Sequence, residues 1–373
     1  MHLNKVLILH SSNGYGGAEK SLLEFLQNLN GYPVEIHLAL SSQLEKLFKE
    51  KVEAQIHFHN FDLFYLKKHQ SIKYYFRSLF YLLISNYKIF ELVNKQNIRT
   101  VYCNTFRTLP YCLLINLLNK TRVICHCRDN SSSKSTLQLI RYGSDKSIAV
   151  SLFIKQQIAS DNRVTVIYNG VNTRHYSDSK PSGWLHRSLG LSPNIKLIGN
   201  IGQIVPWKNQ TDYVLAANEL IKTYTNVHFF LIGGSADDDY FKQLKRQIHS
   251  LSLESYFTLT GHVEDVKKYI VELDILLHTA INEPFGRVII EAGAASKPVV
   301  AYNSGGVPEI IRNGETGFLV QDKDIYQMVE FTTLLLNNQL LRESIGRAAR
   351  KLVAEKFNSK DYTCKLYNAL TND

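Results

Sequence analysis

The sequence predicts an α/β protein with two doubly wound domains that face each other across a cleft. Three observations support this fold class. At 373 residues the chain is longer than one hydrophobic core usually serves, so two domains are expected. Apolar residues make up 45% of the chain and charged residues 20%, which is enough material for two packed cores. Short β-branched runs alternate with helical stretches in both halves, an order typical of parallel sheets.

The first half contains four predicted strands, at 5–10, 34–39, 100–104 and 122–127. Near the start, only residues 6–9 form an apolar run. That run is shorter than the core of a signal peptide and far shorter than a spanning helix. We therefore expect a buried first strand and a cytoplasmic protein.

The second half repeats the pattern after a polar stretch with Pro and Gly at 172–193, which we interpret as the linker. Its predicted strands are 195–201, 227–232, 256–260, 275–279 and 298–302. The expected domains are 1–178 and 179–355, with a C-terminal helix at 356–373 that packs back on the first domain. Ligands of open parallel sheets bind beyond the carboxyl ends of the strands, so the loops there hold the candidate site.

Positive charge is concentrated in the first half. Residues 1–180 carry 23 Lys and Arg against 12 Asp and Glu, whereas residues 181–373 carry 20 against 21. This asymmetry favours an anionic partner for the first half, namely a membrane surface, a nucleic acid or a phosphorylated substrate. A basic surface that only keeps the protein soluble is the alternative.

One stretch of this half, 67–90, has the pattern of a helix that lies in a membrane interface. Its apolar residues recur at helical spacing with basic residues beside them, and charge interrupts it too often for it to span a bilayer. The alternative is that the same stripe packs on the domain core. The apolar positions are Ile72, Tyr75, Phe76, Leu79, Leu83 and Tyr87.

A glycine-rich loop follows the first predicted strand and leads into a helix. Gly16 and Gly17 allow close approach to the backbone, and the helix N-terminus offers free amides to an anion. A dinucleotide fingerprint would need a third glycine where this chain has Glu19, so a nicotinamide cofactor is disfavoured. A tight turn without a ligand is the alternative.

The densest polar cluster, 282–291, follows a predicted strand of the second half. Glu283 lies at the mouth of a Pro-Phe-Gly turn, where a carboxylate can orient a sugar hydroxyl. Glu291 lies about two turns into the next helix, where it can accept two hydrogen bonds from a ribose diol. The amides of Phe285, Gly286 and Arg287 would meet a phosphate.

Another loop after a strand, 202–209, contains Lys208, which is positioned to neutralise a diphosphate, although most lysines simply face solvent. We expect no metal site. The acidic run at 237–239 is interpreted as a solvated charge run in a polar loop, and the five cysteines lack the spacing of a zinc site. No cofactor is expected either.

Together these motifs resemble the retaining glycosyltransferases of the GT-B architecture, in the large family numbered four. The resemblance covers nearly the whole chain and depends on the order and spacing of the motifs. It implies two Rossmann-like domains, the first binding the acceptor and the second the nucleotide sugar. The motifs are Gly-Gly-Ala-Glu at 16–19, His126 with Arg128, Asn169-Gly170-Val171, Pro-Trp-Lys at 206–208, Gly261 with Asp265, and Glu-Pro-Phe-Gly at 283–286 with Glu291.

The resemblance also implies roles for single residues. Lys208 is implied as the diphosphate ligand, Glu291 as the ribose ligand, and Glu283 as the catalytic carboxylate at the reacting face of the donor sugar. The backbone of Val263 is implied to hold the nucleobase. His126 is similar to the histidine that reaches across the cleft to the donor sugar.

Two further features of the donor site follow from the resemblance. Gly16 and Gly17 are similar to the loop that closes on the phosphates. One departure is Gln203, where many members have an arginine, because glutamine supplies no charge to a phosphate. Either Lys208 and the helix amides suffice, or Arg287 compensates.

The implied reaction moves a sugar from a nucleoside diphosphate sugar, with a UDP-sugar as the expected donor, to an acceptor hydroxyl with retention at the anomeric carbon. The expected acceptor is a growing glycan or a lipid-linked saccharide, and an anionic membrane surface is a candidate partner. Lysine and helix ends would replace a metal. The alternatives are a sugar-nucleotide epimerase of the same architecture and a nucleotide- or nucleic-acid-binding module. A nucleotide- or nucleic-acid-binding module would not explain the turn at 283–291, so no nucleic-acid partner is expected.

Overall fold

The computed structural model describes residues 3–11, 14–53, 56–61, 72–118, 121–130, 133–158 and 162–372. The chain divides into two compact units, Met1–Gly170 with Ser359–Asp373, and Val171–Asn358. The domain boundaries expected from the sequence are 178 and 355. Each unit contains one open parallel sheet, so the predicted fold class is confirmed.

The described residues of the first unit form a seven-stranded parallel sheet. Its strands are β1 (Asn4–Leu9), β2 (Val34–Ala39), β3 (Ile56–His59), β4 (Thr100–Cys103), β5 (Arg122–Cys127), β6 (Lys146–Ala149) and β7 (Val164–Val166). Their order is β3-β2-β1-β4-β5-β6-β7. The helices are α1 (Gly17–Gln27), α2 (Ser42–Lys51), α3 (Ile72–Gln96), α4 (Leu113–Leu118), α5 (Lys134–Gly143), α6 (Leu152–Ile158) and, from the C-terminus, α15 (Ser359–Thr371).

The second unit has a six-stranded parallel sheet. Its strands are β8 (Lys196–Ile201), β9 (Val227–Ile232), β10 (Phe257–Gly261), β11 (Ile275–His278), β12 (Val299–Tyr302) and β13 (Phe318–Val320), in the order β10-β9-β8-β11-β12-β13. The helices are α7 (Thr173–Ser177), α8 (Trp184–Leu189), α9 (Gln210–Ile221), α10 (Asp238–Ser250), α11 (Val266–Ile270), α12 (Arg287–Ala294), α13 (Ile325–Asn337) and α14 (Gln339–Lys356).

Every predicted strand is present with ends within one residue of those expected. Strands such as β4, β9 and β11 are buried along their whole length, because helices cover both faces of a parallel sheet and the strands then appear as continuous apolar runs. Four strands were not predicted from the sequence: β3, β6, β7 and β13. Each has three or four residues, but the predicted strands β4, β11 and β12 are equally short, so length alone does not account for the difference.

Two segments interpreted as irregular contain helices instead. The stretch 172–193 belongs to the second unit and includes α7 and α8. The carboxylate of Glu272 anchors it by accepting hydrogen bonds from the amides of Ser182 at 2.7 Å and Gly183 at 2.9 Å. The acidic run 237–239 caps and begins α10, where carboxylates are favoured by the free amides of the first turn.

Helix α15 is part of the first unit. Its residues Tyr362, Leu366 and Leu370 are buried in that unit's core, and the ring of Tyr367 lies 4.6 Å from that of Tyr32. Within the described part of the chain, no helix combines the length and the apolar character needed to cross a bilayer.

Candidate functional site

In the second sheet the chain changes direction between β8 and β11. From β8 it continues outward through β9 and β10, and from β11 it continues the other way through β12 and β13. The loops after β8 and β11 therefore flank the switch point at the carboxyl ends of the strands, where open parallel sheets bind ligands. Lys208 lies in the first of these loops and Glu283 in the second.

The structure brings Lys208 and Glu283 together as an ion pair. Lys208 Nζ lies 2.5 Å from Glu283 Oε2, and the two side chains are only 15% and 9% exposed. The Nε2 atom of His278, the last residue of β11, lies 3.3 Å from the same oxygen. His278 was missed by the sequence analysis, although its place at the end of a strand could have marked it.

Glu283 is ionised despite its burial. Burial alone raises the pKa of its carboxyl group, but the charge of Lys208 and the close contact with His278 outweigh it and lower the pKa to about 2. Burial is also the main reason that the pKa of His278 lies below its usual value. At neutral pH the site therefore holds a carboxylate that can stabilise positive charge but has no proton to donate.

The loop that carries Glu283 is held by the glycine turn after β12. The carbonyl oxygen of Glu283 accepts a hydrogen bond from the amide of Gly306 at 2.7 Å. Gly305 adopts a φ of +64°, and a Cβ atom there would lie 2.3 Å from the Glu283 oxygen. Only glycine fits this approach, so the turn at 304–306 fixes the position of Glu283.

Helix α12 begins directly after this loop and carries the other predicted donor ligands. Gly286 precedes it in a left-handed conformation. Arg287 Nε donates to Glu291 Oε1 at 2.9 Å, one turn along the helix, and Glu291 is buried. Phe285 is also buried, with its ring packed on Phe357.

Gln203 and Val263 lie in the loops after β8 and β10. Gln203 is exposed, and its carbonyl oxygen accepts a hydrogen bond from Gln210 Nε2 at 2.8 Å. Val263 is half-buried between β10 and the start of α11, which Asp265 caps. Both residues are thus at the carboxyl edge of the second sheet, where the sequence predicted them.

Gly16, Gly17 and His126 belong to the first unit. Gly16 precedes α1 and its amide donates to Glu19 Oε2 at 2.8 Å. The other carboxylate oxygen of Glu19 lies 2.7 Å from Nε2 of His10. Burial raises the pKa of Glu19, but His10 and the backbone amides lower it to about 2. The glycine loop is thus tied to the end of β1 by a buried His10–Glu19 hydrogen bond that was not predicted from the sequence.

His126 is buried within β5. Its Nδ1 lies 2.5 Å from the hydroxyl of Tyr102, while Nε2 has no hydrogen-bond partner among the described residues. Burial, together with the charge of Arg128, holds the pKa of His126 well below its usual value. The imidazole is therefore neutral, with one ring nitrogen available.

Arg128 follows β5 and is also buried. Its guanidinium donates to Asn104 Oδ1 at 3.0 Å, Asn169 Oδ1 at 2.7 Å and Tyr362 Oη at 3.1 Å. Asn104 follows β4, next to β1, so this network lies at the switch point of the first sheet. Arg128 and Asn169 were predicted from the sequence as motif residues, but their contact was not.

Comparison with known proteins identifies the class to which this fold belongs. The structure of HepE from Anabaena in complex with UDP and glucose matches with a TM-score of 0.84, at 22% sequence identity, over 100% of both chains. The GT-B architecture expected from the sequence is confirmed.

Two family models then match most of the chain, Glycosyltransferase Family 4 over residues 15–175 and Glycosyl transferases group 1 over residues 185–352. The chain belongs to the glycosyltransferase family that these two models describe, family 4, also called glycosyl transferases group 1.

Curated relatives match a shorter part of the chain at somewhat higher identity. The N-acetyl-alpha-D-glucosaminyl L-malate synthase of Bacillus anthracis is 25% identical over 253 residues, 65% of each chain. The capsular polysaccharide biosynthesis glycosyltransferase CapM of Staphylococcus aureus is 29% identical over 224 residues, 57% of this chain and 58% of CapM. The matches thus span less than two thirds of either relative.

Proposed function

We propose that the protein transfers a sugar from a nucleoside diphosphate sugar to an acceptor hydroxyl and that the second unit holds the donor. The observation that carries this proposal is the Lys208–Glu283 ion pair at the switch point of the second sheet. A cation and a carboxylate whose side chains are mostly buried match the two charges of glycosyl transfer. One develops on the leaving diphosphate and the other on the sugar.

Each charged group has a distinct part in the proposed reaction. The bond between the anomeric carbon and the diphosphate oxygen breaks, and Lys208 with the amides before α12 stabilises the negative charge on the leaving group. Glu283, ionised at neutral pH, stabilises positive charge at the anomeric carbon. The acceptor oxygen then bonds to this carbon and its proton leaves with the phosphate or to solvent. No step requires a metal ion.

We propose a UDP-sugar as the donor. HepE has been solved with UDP-glucose as well as with UDP, which supports this choice. Glu291 would accept hydrogen bonds from the ribose and the backbone of Val263 would contact the uracil. Arg287 donates to Glu291, so we assign it to positioning that carboxylate. Lys208 and the helix amides then provide the positive charge to the diphosphate that Gln203 cannot provide.

A panel of UDP-sugars, each with and without saccharide acceptors, tests the proposal through UDP release and product NMR. Acceptor-dependent release that is lost in Lys208→Met and kept in Lys222→Met is expected, because Lys222 lies on the surface of the same unit. The product should retain the donor's anomeric configuration, and a coupling constant showing inversion would contradict this. Conversion of donor alone to an epimer would favour an epimerase. Nucleic-acid binding without turnover would favour a binding module.

We further propose that α3 docks on an anionic membrane, where a lipid-linked acceptor would be presented. Four positions of the predicted stripe are strongly exposed: Phe76 at 70%, Leu79 at 52%, Leu83 at 59% and Tyr87 at 61%. The side chains of Ile72 and Tyr75, and all of 67–71, lie outside the described residues.

Charge supports an anionic lipid surface as the partner. Lys73, Arg77 and Lys88 are exposed on the same helix, and no acidic residue occurs between 72 and 90. Each basic residue near an anionic leaflet contributes about 1 kcal/mol. Ile89 and Val93, also on α3, are buried and pack on the core of the unit instead.

Vesicle co-sedimentation tests the docking face. Binding to anionic but not neutral vesicles is expected, and it should weaken with salt. The double variant Phe76→Ser/Leu83→Ser should lose it. Tyr142→Ser should keep it, because Tyr142 is equally exposed but lies on α5. Equal binding to both vesicle types, or binding to neither, would contradict the docking face.

A further inference from the structure

Three histidines and a glutamate lie together at the outer edge of the first sheet. Glu35 and His37 are on β2, and His57 and His59 are on the edge strand β3. In the parallel register His37 is paired with His57, and Ala39 with His59. Because side chains alternate along a strand, these four residues project from the same face.

The distances within this cluster match those of a metal-ligand set. Glu35 Oε1 lies 3.0 Å from His37 Nε2 and 3.6 Å from His57 Nε2. One ligand atom from each of the three residues lies within 4.8 Å of the other two. Tetrahedral zinc with bonds of about 2.0–2.1 Å places its ligand atoms about 3.3 Å apart. Only small side-chain shifts are needed to close the set around one ion.

His59 supplies the outer contact that ligating histidines usually have. Its Nε2 lies 2.9 Å from Nδ1 of His37, the ring nitrogen that does not face Glu35. A partner on the second nitrogen fixes the tautomer and the orientation of a ligating imidazole. The ring of His37 is also stacked between those of His57 and His59, with centroids 4.8 and 5.2 Å away.

A metal-free account of the cluster also exists. Lys5 Nζ lies 3.2 Å from Glu35 Oε1, so Glu35 is neutralised without an ion. The Lys5 side chain is 30% exposed and can turn to solvent when a divalent ion replaces its charge.

We propose that Glu35, His37 and His57 bind one divalent ion of the zinc type, with a water molecule at the fourth position. Imidazole nitrogens with one carboxylate suit zinc and its neighbours in the first transition row rather than magnesium or calcium. The ion joins the edge strand β3 to β2 and stabilises the first unit. The site shares no residue with the proposed donor site, so it stands apart from the transfer reaction.

The test uses the full chain without a histidine tag, stripped with chelator and titrated with Zn²⁺ by calorimetry and with Co²⁺ by visible absorption. One ion per chain is expected, with ligand-field bands typical of four or five ligands and a higher Tm. His57→Ala should weaken binding at least about 100-fold, since even partners of ligands contribute about 10- to 100-fold. His57 is 57% exposed on an edge strand, so the variant should still fold.

His249→Ala is the matched control, because His249 forms a similar His–Glu contact with Glu254 on the surface of the other unit. It should bind like the parent chain. Glu35→Gln gives a second check by removing the carboxylate while keeping its shape. The proposal is overturned if the parent binds no ion, or if His57→Ala and Glu35→Gln both bind as the parent does. Sugar transfer should be unchanged in His57→Ala, so this result is independent of the proposed function.

Discussion

Replacing Lys208 with methionine should destabilise the second unit, because Glu283 would keep its burial and lose its main counter-charge. In the folded protein the pKa of Glu283 is about 2, against a usual 4.5. At about 1.4 kcal/mol per pKa unit, this difference corresponds to about 3.5 kcal/mol near neutral pH. The loss is large because both groups are buried.

The pH dependence has a defined sign. Above about pH 4.5 the full stabilisation is present, because the carboxylate is charged in both the folded and the unfolded chain. As the pH falls from 4.5 towards 2, the carboxyl group takes up a proton in the unfolded chain but not yet in the folded one, and the stabilisation is lost. The stability difference between Lys208→Met and the parent should therefore shrink when measured at about pH 3.

Urea unfolding followed by tryptophan fluorescence is the assay. Both tryptophans, Trp184 and Trp207, lie in the second unit, so their emission reports on that unit. Lys222→Met removes the exposed pair with Glu219 and should cost less than about 1 kcal/mol. The double variant Lys208→Met/Glu283→Gln should recover much of the stability. Equal losses in the two lysine variants, or a loss that does not change with pH, would refute the reasoning.

Three further results are expected. Glu291→Ala should weaken UDP binding by about 1.5–3 kcal/mol in calorimetry, and Glu330→Ala, exposed on α13, should not; unchanged affinity for both would remove the ribose assignment. Sugar transfer should survive EDTA, since Lys208 and helix amides take the part of a metal; loss of turnover restored by magnesium or manganese would falsify this. Gly305→Ala should lower the urea midpoint more than Gly314→Ala, because both glycines have positive φ but only Gly305 would bring a Cβ within 2.3 Å of backbone; equal midpoints would contradict it.

The fold was predictable because its inner strands are buried along their whole length and consist mostly of apolar residues. β9 and β11 could be located from composition alone. The edge strand β3 could not, since its sequence, Ile-His-Phe-His, has no continuous apolar run and only four residues. The histidine cluster was missed for the same reason, because it forms only when β2 and β3 pair across about 20 residues of chain.

The loops of the candidate site were found from sequence, but their internal contacts were not. Lys208 and Glu283 are 75 residues apart, and only the strand order brings β8 beside β11. The sequence also left open whether Arg287 compensates for Gln203. In the structure Arg287 donates a hydrogen bond to Glu291. This contact follows from i, i+4 spacing on a helix, but only when α12 is known to begin at Arg287.

The position of α15 has a consequence for how the chain is synthesised. The first unit is interrupted at Gly170 and resumes at Ser359, so all of the second unit leaves the ribosome before the last helix of the first. Until then Arg128 lacks the hydroxyl of Tyr362, and the apolar surface covered by Leu366 and Leu370 is open. The nascent protein therefore carries a complete second unit beside an unfinished first one, which is the stage at which a chaperone or a protease would find a substrate.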